Sequence, residues 1–232
     1  MLVVRTKGGL TGHNMTTQPE STRELLLVTA GKLFATHGYD VVSTRMITDQ
    51  AGLKLSSIHY HFGGKENLYL EAFSYAKARG VGTNFLDVVN ETPALMNSPE
   101  GQAEIIRNTV YRRFHDYFRP ERPYWEIQIL IREITNPSSA LPVLVEKLFR
   151  PDIEATESFY RLIRPEASDN EVSAWIDLFH GQFVFYSMTR EPMRLLRGKN
   201  VMNVEFLKEV SRNLSKALIL TLDLPLPKDL QE

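Results

Sequence analysis

Cysteine is absent from the 232-residue chain. With it go disulfides, thiolate metal sites, cysteine nucleophiles and thiol redox sensing, so any switch has to work through binding. No apolar run approaches the ~18 residues of a membrane span. The N-terminus lacks the charged, then apolar, then small-residue pattern of a secretion signal. A cytoplasmic protein with no membrane partner is therefore expected. No segment sustains a two-residue alternation with β-branched types, which argues against a sheet. A glycine-rich phosphate loop, a metalloprotease His-Glu spacing and a nucleophile elbow are all missing, so neither an enzyme nor a cofactor is expected. The His59-x-His61 pair sits on a helical pattern where residues two apart point to opposite sides, so no metal site is expected.

What is present is ordinary globular material, 43% hydrophobic and 24% charged, enough for a small domain joined to a larger one. The net charge of −1 hides an asymmetry. Residues 1–80 carry nine Lys and Arg against six Asp and Glu, and the remainder carries 18 against 22. A surplus of three positive charges permits a nucleic-acid partner without requiring one. Residues 1–20, with Gly-Gly, Thr-Gly and Pro, read as a flexible leader. It is either an over-extended start around a second methionine, Met15, or a basic arm carrying Arg5 and Lys7 to a minor groove.

From Ser21 to about Leu222 the pattern is helical. Leu26, Ala30, Leu33, Phe34 and His37 fall on one face, and Gly38 follows where a left-handed cap is needed. Thr44 is read as the N-cap of a second helix that Gly52 stops after two turns. A third, Leu55 to Phe62, is ended by Gly63-Gly64, and a fourth starts at Lys65. Two short helices split by a glycine turn make a helix-turn-helix. Prolines then divide the rest into helices near 66–80, 100–118, 123–135, 139–163, 169–190 and 203–222. The fold class is all-α, with a flexible leader (1–20), a three-helix DNA-binding domain (21–66), a larger helical ligand-binding and dimerisation domain (67–225) and a tail (226–232). Residues 172–186 are apolar over too much of their circumference for one buried face. Paired with the last helix, they would meet a symmetry copy in a four-helix dimer interface.

The second helix of such a motif enters the major groove, so its outward residues must reach base edges or lie on phosphates. Ser56, Ser57, His59, Tyr60 and His61 fit, while Ile58 and Phe62, four apart, face the core and set the rotation of the others. Thr44 and Lys65 each open a helix whose N-terminal N–H groups can receive a phosphate.

The run Thr44-Arg45-Met46-Ile47-Thr48-Asp49-Gln50-Ala51-Gly52-Leu53, then Ser56 to Phe62, then Gly64-Lys65-Glu66-Asn67-Leu68, resembles the DNA-binding signature of the TetR family. Phe34, Gly38 and Tyr39 extend the match over about residues 22–75. The form Ile-His-Tyr-His-Phe-Gly-Gly-Lys-Glu-Asn-Leu-Tyr and the later Arg-Glu-Ile-Thr-Asn-Pro at 132–137 resemble the CecR-like branch. The resemblance implies that His59, His61 and Lys65 touch phosphates and that residues near Ser57 and Tyr60 read bases. With Thr44, Arg45 and Ser56 these form the candidate DNA-contact set. It further implies a homodimeric repressor on a palindromic double-stranded operator, released by a small-molecule effector. A transcriptional activator, a small-molecule-binding protein with a vestigial DNA domain and a helical enzyme are the alternatives. Two residues depart from the family pattern: Lys54 stands where a capping side chain is usual, and His59 stands where a tyrosine is usual.

In the larger domain, polar groups set in apolar helices are the candidates for a ligand pocket. They are Tyr111, His115, Trp125, Arg132, His180 and Tyr186, with Glu133 and Gln182 beside them. The plain alternative for each is core packing or an interhelix pair.

Overall fold

The computed structural model describes residues 21–80, 82–198 and 202–231. The leader and its Arg5 and Lys7 lie outside them. Among the described residues there is no strand.

Helix α1 (Thr22–His37) starts where Ser21 accepts the Glu24 N–H at 3.2 Å and ends at Gly38, whose φ of 87° suits a residue without Cβ. Helix α2 (Thr44–Ala51) is capped by Ser43, which accepts from Met46 N at 3.1 Å. The cap is therefore one residue earlier than the sequence suggests. Thr44 already has helical geometry, and it is the preceding extended residue whose side chain reaches back to the third N–H. Gly52, left-handed at φ 67° and ψ 32°, closes α2 and turns the chain into α3 (Ser56–Phe62). Helix α3 has no side-chain cap, its N-cap being Leu55 rather than the Lys54 that the sequence suggests, and the Ser57 and Ile58 N–H groups bond to the Lys54 and Leu55 carbonyls. Ile47, Ile58, Phe62 and Val42 are buried together with Leu26 and Phe34 of α1.

Helix α4 (Lys65–Ala78) buries Leu68, Tyr69, Ala72, Phe73 and Ala76 and runs from the short helices into the rest of the molecule. A short helix α5 (Phe85–Glu91) and a 3-10 turn (Pro93–Asn97) precede α6 (Pro99–Phe118), and neither was expected. Seven residues show no helical period. A reciprocal Asn84–Asp87 capping box fixes the start of α5, and Phe85 stacks on Phe159 at 4.7 Å. Helix α7 (Tyr124–Thr135) follows. The single helix expected over 139–163 is α8 (Leu141–Leu144) and α9 (Arg150–Ile163), joined by a π turn at Val145–Phe149. Helix α10 (Asp169–Met188) opens with a Ser168–Glu171 capping box. Helix α11 (Arg190–Arg197) buries nothing and fills part of the gap that the sequence reading leaves between helices at 169–190 and 203–222, and α12 (Val204–Leu220) ends the bundle.

Helix α7 lies along α1. The Trp125 ring sits so close to Gly31 that a Cβ there would come within 2.3 Å of it. At its start, buried Arg122 donates to the Ala76 carbonyl at 2.6 Å and to the Tyr117 carbonyl at 3.1 Å, and pairs with Glu126 at 3.2 Å. The C-terminal end of α4 is thus held by a cation, the sign its carbonyls favour. On α10, Val172, Trp175, Ile176, Phe179 and Phe183 are buried, and the Trp175 indole donates to Leu218 O of α12 at 3.1 Å. Phe185, Met188, Leu195, Leu196, Val204 and Leu220 stay exposed on α10, α11 and α12. The segment expected to be a tail is docked, with Leu230 buried and Asp229 paired with Arg107 at 2.8 Å.

Candidate nucleic-acid interface and sensor cavity

With Ile58 and Phe62 buried, at 0% and 5% exposure, the rotation of α3 is set and its other faces turn outward. Tyr60 is 86% exposed, more than any other large apolar or aromatic side chain among the described residues. A tyrosine left so fully in water contributes little to the core. Ser56 and His59 are exposed, and Ser57 and His61 are half-buried, with the His61 ring 4.9 Å edge-on from Tyr60. Arg45 projects from α2, 87% exposed and 3.7 Å from Asp49, while Thr44 is half-buried at the helix start. Exposed ion pairs of this kind are weak.

Lys65 opens α4 with no side-chain cap in front of it, so the first α4 N–H groups remain free of side-chain acceptors. Its ammonium lies 4.3 Å over the Tyr39 ring. Partial burial lowers its pKa from the ordinary value, with Asp40 opposing the shift. The aromatic shelf holds the cation at the helix N-terminus, where a backbone dipole and a side-chain charge coincide. Positive and hydrogen-bonding side chains thus stand at least partly exposed on α2, α3 and α4, the helices of one motif.

The six candidates for a ligand pocket do not share one cavity. Trp125 stacks parallel to Tyr75 at 6.2 Å and packs on Gly31, and Arg132 donates to the Thr36 carbonyl at 3.1 Å beside Gly38. Both serve the α1–α7 contact, because the face of α7 they occupy is the one turned to α1. Tyr111 and His115 are exposed on α6 and line grooves against α12. Tyr186 meets Phe118 and Phe206 edge-on near that end. Glu133 is buried, accepting from Tyr69 Oη at 2.6 Å and from Ser138 N and Oγ at 2.9 and 2.8 Å.

His180 alone of the six lines a cavity of about 200 Å³ bordered by α4, α6, α7, α9 and α10 and open to solvent on one side, where Ile134 and Ile153 are exposed. Sequence reasoning missed its polar partners. Arg113 is 2% exposed and donates to Asp152 at 2.6 Å, and Lys77 enters from α4. The signal for Arg113 was available: it stands on the buried α6 stripe Ile105, Thr109, Arg113, Tyr117, where a cation needs a partner. Nothing in the order of residues around Asp152 marks it.

Residues 26–72 match the family model for bacterial regulatory proteins of the tetR family, and residues 103–223, more than half of the chain, match the C-terminal domain of the HTH-type transcriptional dual regulator CecR. The chain is 24% identical over 191 residues to that dual regulator from Shigella flexneri, covering 79% of this chain and 83% of the relative. It is 35% identical over 74 residues to the HTH-type transcriptional repressor AcnR of Corynebacterium glutamicum, covering 32% of this chain and 37% of that one. Among solved structures, NalD, the secondary repressor of the MexAB-OprM multidrug efflux pump in Pseudomonas aeruginosa, superposes with a TM-score of 0.59 at 15% identity, over 86% of this chain and 94% of that one. AmtR of Mycobacterium smegmatis does so with a TM-score of 0.53 at 17% identity, over 92% and 94%.

Proposed function

Because the chain belongs to the TetR family of bacterial regulatory proteins, with the CecR type of C-terminal domain, and is thus a DNA-binding transcriptional regulator, we propose that it is a cytoplasmic, homodimeric repressor released by a small molecule. The observation that carries the reading is the α3 surface, where Tyr60 and its polar neighbours stand free on a helix whose rotation the buried Ile58 and Phe62 fix. Two such helices would occupy successive major grooves of a palindrome, about 34–36 Å apart. Ser57 and Tyr60 would read bases, and His59, His61, Lys65, Arg45 and the α2 and α4 N-termini would hold phosphates. Residues 21–66 form the reading domain and 67–225 the sensing and pairing domain, with the exposed apolar residues of α10 and α12 supplying the dimer seam.

The effector would sit in the α4–α6–α7–α9–α10 cavity. Two helices join that cavity to the reading head: α4, with Lys77 at the cavity and Lys65 at the DNA, and α7, with Leu130 and Ile131 at the cavity and Trp125 and Arg132 on α1. An effector that binds better when these helices are displaced lowers DNA affinity by its differential affinity for the two states. The name of the Shigella relative, a dual regulator, favours activation at some promoters as a second reading. Transcript levels from each bound promoter with and without the protein separate the two.

The test is an electrophoretic mobility shift with the DNA upstream of the chain's own gene, at fixed salt. A shift competed by the same fragment and not by random DNA supports the regulator. If that fragment and selection from random duplexes both fail, the DNA-binding reading falls and a vestigial domain replaces it.

A further inference from the structure

We infer that the cavity selects an amphipathic organic anion, a carboxylate held by Arg113 and Lys77 at one end with its apolar body against Leu130, Ile131 and Phe149. This rests on the reading of the larger domain as a sensor and names the chemistry it senses.

The charged side chains lining the cavity are Lys77, Arg113 and Asp152, two cations to one anion. Asp152 gives one oxygen to Arg113 at 2.6 Å and stands 3.9 Å from His180 Nδ1. One positive charge is left without a countercharge in a space walled mostly by hydrocarbon, which is costly unless something anionic enters. The hydrogen-bond inventory agrees. Arg113 Nη1 and His180 Nε2 are buried without a partner, although Arg113 also lies over the Phe179 and Phe183 rings at 5.1 and 5.9 Å. A guanidinium with one nitrogen paired and the other free is half of a fork that fits a second carboxylate. Burial lowers the Lys77 pKa, and Arg113 adds to that while Asp152 opposes it. A bound anion would relieve the same strain.

The rest of the wall is mostly apolar, with Ile134, Phe183 and Val184 beside Tyr117, whose hydroxyl is bonded to Ser187. At about 200 Å³ the space falls below the ~300–1,000 Å³ typical of pockets for drug-sized ligands. It suits a single-ring or short-chain carboxylate. His180 supplies a further signature. A carboxylate at Nε2 would set the ring between two anions, the newcomer and Asp152, and favour its protonated form. Lys77 from α4 and Arg113 from α6 oppose that, and the cavity residues of α7 carry no charge. Anion binding therefore takes up a proton.

The experiment measures binding of benzoate and octanoate, of their neutral amides, and of benzylamine and octylamine to the full chain by calorimetry. The same preparation is assayed for operator binding. At least one carboxylate is expected to bind, with the matching amide and amine weaker by about tenfold or more, the value of a hydrogen bond to a buried charge. Its affinity should rise as pH falls from 8 to 6, by up to about tenfold per unit. His180→Gln should remove that pH dependence, and Lys77→Met should weaken the carboxylate without affecting the amide. Arg113→Met should abolish carboxylate binding, and if that variant fails to fold, Lys77→Met carries the test alone. Amide or amine binding equal to the carboxylate, or no carboxylate binding by protein that still shifts its operator, overturns the anion assignment and leaves the DNA-binding reading standing. Loss of the operator shift with carboxylate selectivity intact overturns only the latter.

Discussion

His180 makes stability depend on pH with a sign and size that the cavity dictates. Burial pushes its pKa down to about 4, the Arg113 charge pushes the same way, and Asp152 opposes them. In the unfolded chain the ring returns to about 6.5. Between these values the unfolded state binds a proton that the native state refuses, so stability falls as pH drops through the window and is fully present above it. At pH 7.5 the contribution is under about 0.1 kcal/mol. At pH 5 protonation favours the unfolded chain by about thirtyfold, or about 2 kcal/mol. The side chain keeps 24% of its surface in solvent, which makes that figure an upper one. His180→Gln retains polar atoms and abolishes the titration. Urea denaturation of both proteins at pH 7.5 and 5, at one protein concentration because a dimer's stability depends on it, should show the wild type losing about 2 kcal/mol more than the variant. Equal losses would refute the placement of a neutral ring against Arg113 and Asp152, whatever the absolute stabilities.

Three further outcomes test other parts of the molecule. Lys65→Ala should reduce the slope of log affinity against log salt by about one without changing operator preference, and an unchanged slope removes its phosphate role. Ser43→Ala should cost about 1 kcal/mol in thermal or urea unfolding through loss of the α2 cap, whereas Thr44→Ala should cost less, since Ser43 and not Thr44 accepts the Met46 N–H. Gly31→Ala places a methyl 2.3 Å from the Trp125 ring. It should destabilise by about 1–3 kcal/mol, the cost of overpacking, and a melting temperature equal to wild type would mean that α1 and α7 are not so closely packed.

The reading head was legible in the sequence because its determinants are local. Glycines at 38, 52 and 63 adopt the positive φ their positions demand, and Ile58 and Phe62 are four apart on a helix too short to bury anything else. The long helices were legible from period and proline. Less was visible where long-range packing decides. Helix α5 exists because Phe85 finds Phe159, Trp175 and Phe179, partners 74 or more residues away. The cavity depends on which face of α7 meets α1. That choice takes Trp125 and Arg132 away from the cavity that holds His180 and puts Leu130, Ile131 and Ile134 into it. His180 could be picked out as a polar group in an apolar helix. Asp152, which pairs with Arg113 and faces His180, is an acid in the first turn of α9, where the helix dipole alone is reason enough for a carboxylate.

The magnitude required for release is within reach of one contact. A hundredfold loss of DNA affinity needs a differential binding free energy of about 2.7 kcal/mol. A hydrogen bond to a charged group contributes about 1.5–3 kcal/mol. Lys77 and Lys65 lie on one helix that contains neither glycine nor proline between them, about 18 Å apart at 1.5 Å per residue. No hinge residue separates the two, so a displacement that brings the Lys77 ammonium onto an effector's carboxylate carries Lys65 and its helix N-terminus with it. Arg122 holds the far end of α4 through the Ala76 carbonyl, and Tyr69 ties its middle to Glu133 of α7. On the proposed reading, a single carboxylate that reaches Lys77 only in the displaced state therefore supplies enough energy to empty the operator, with no need for the effector to remodel the rest of the bundle.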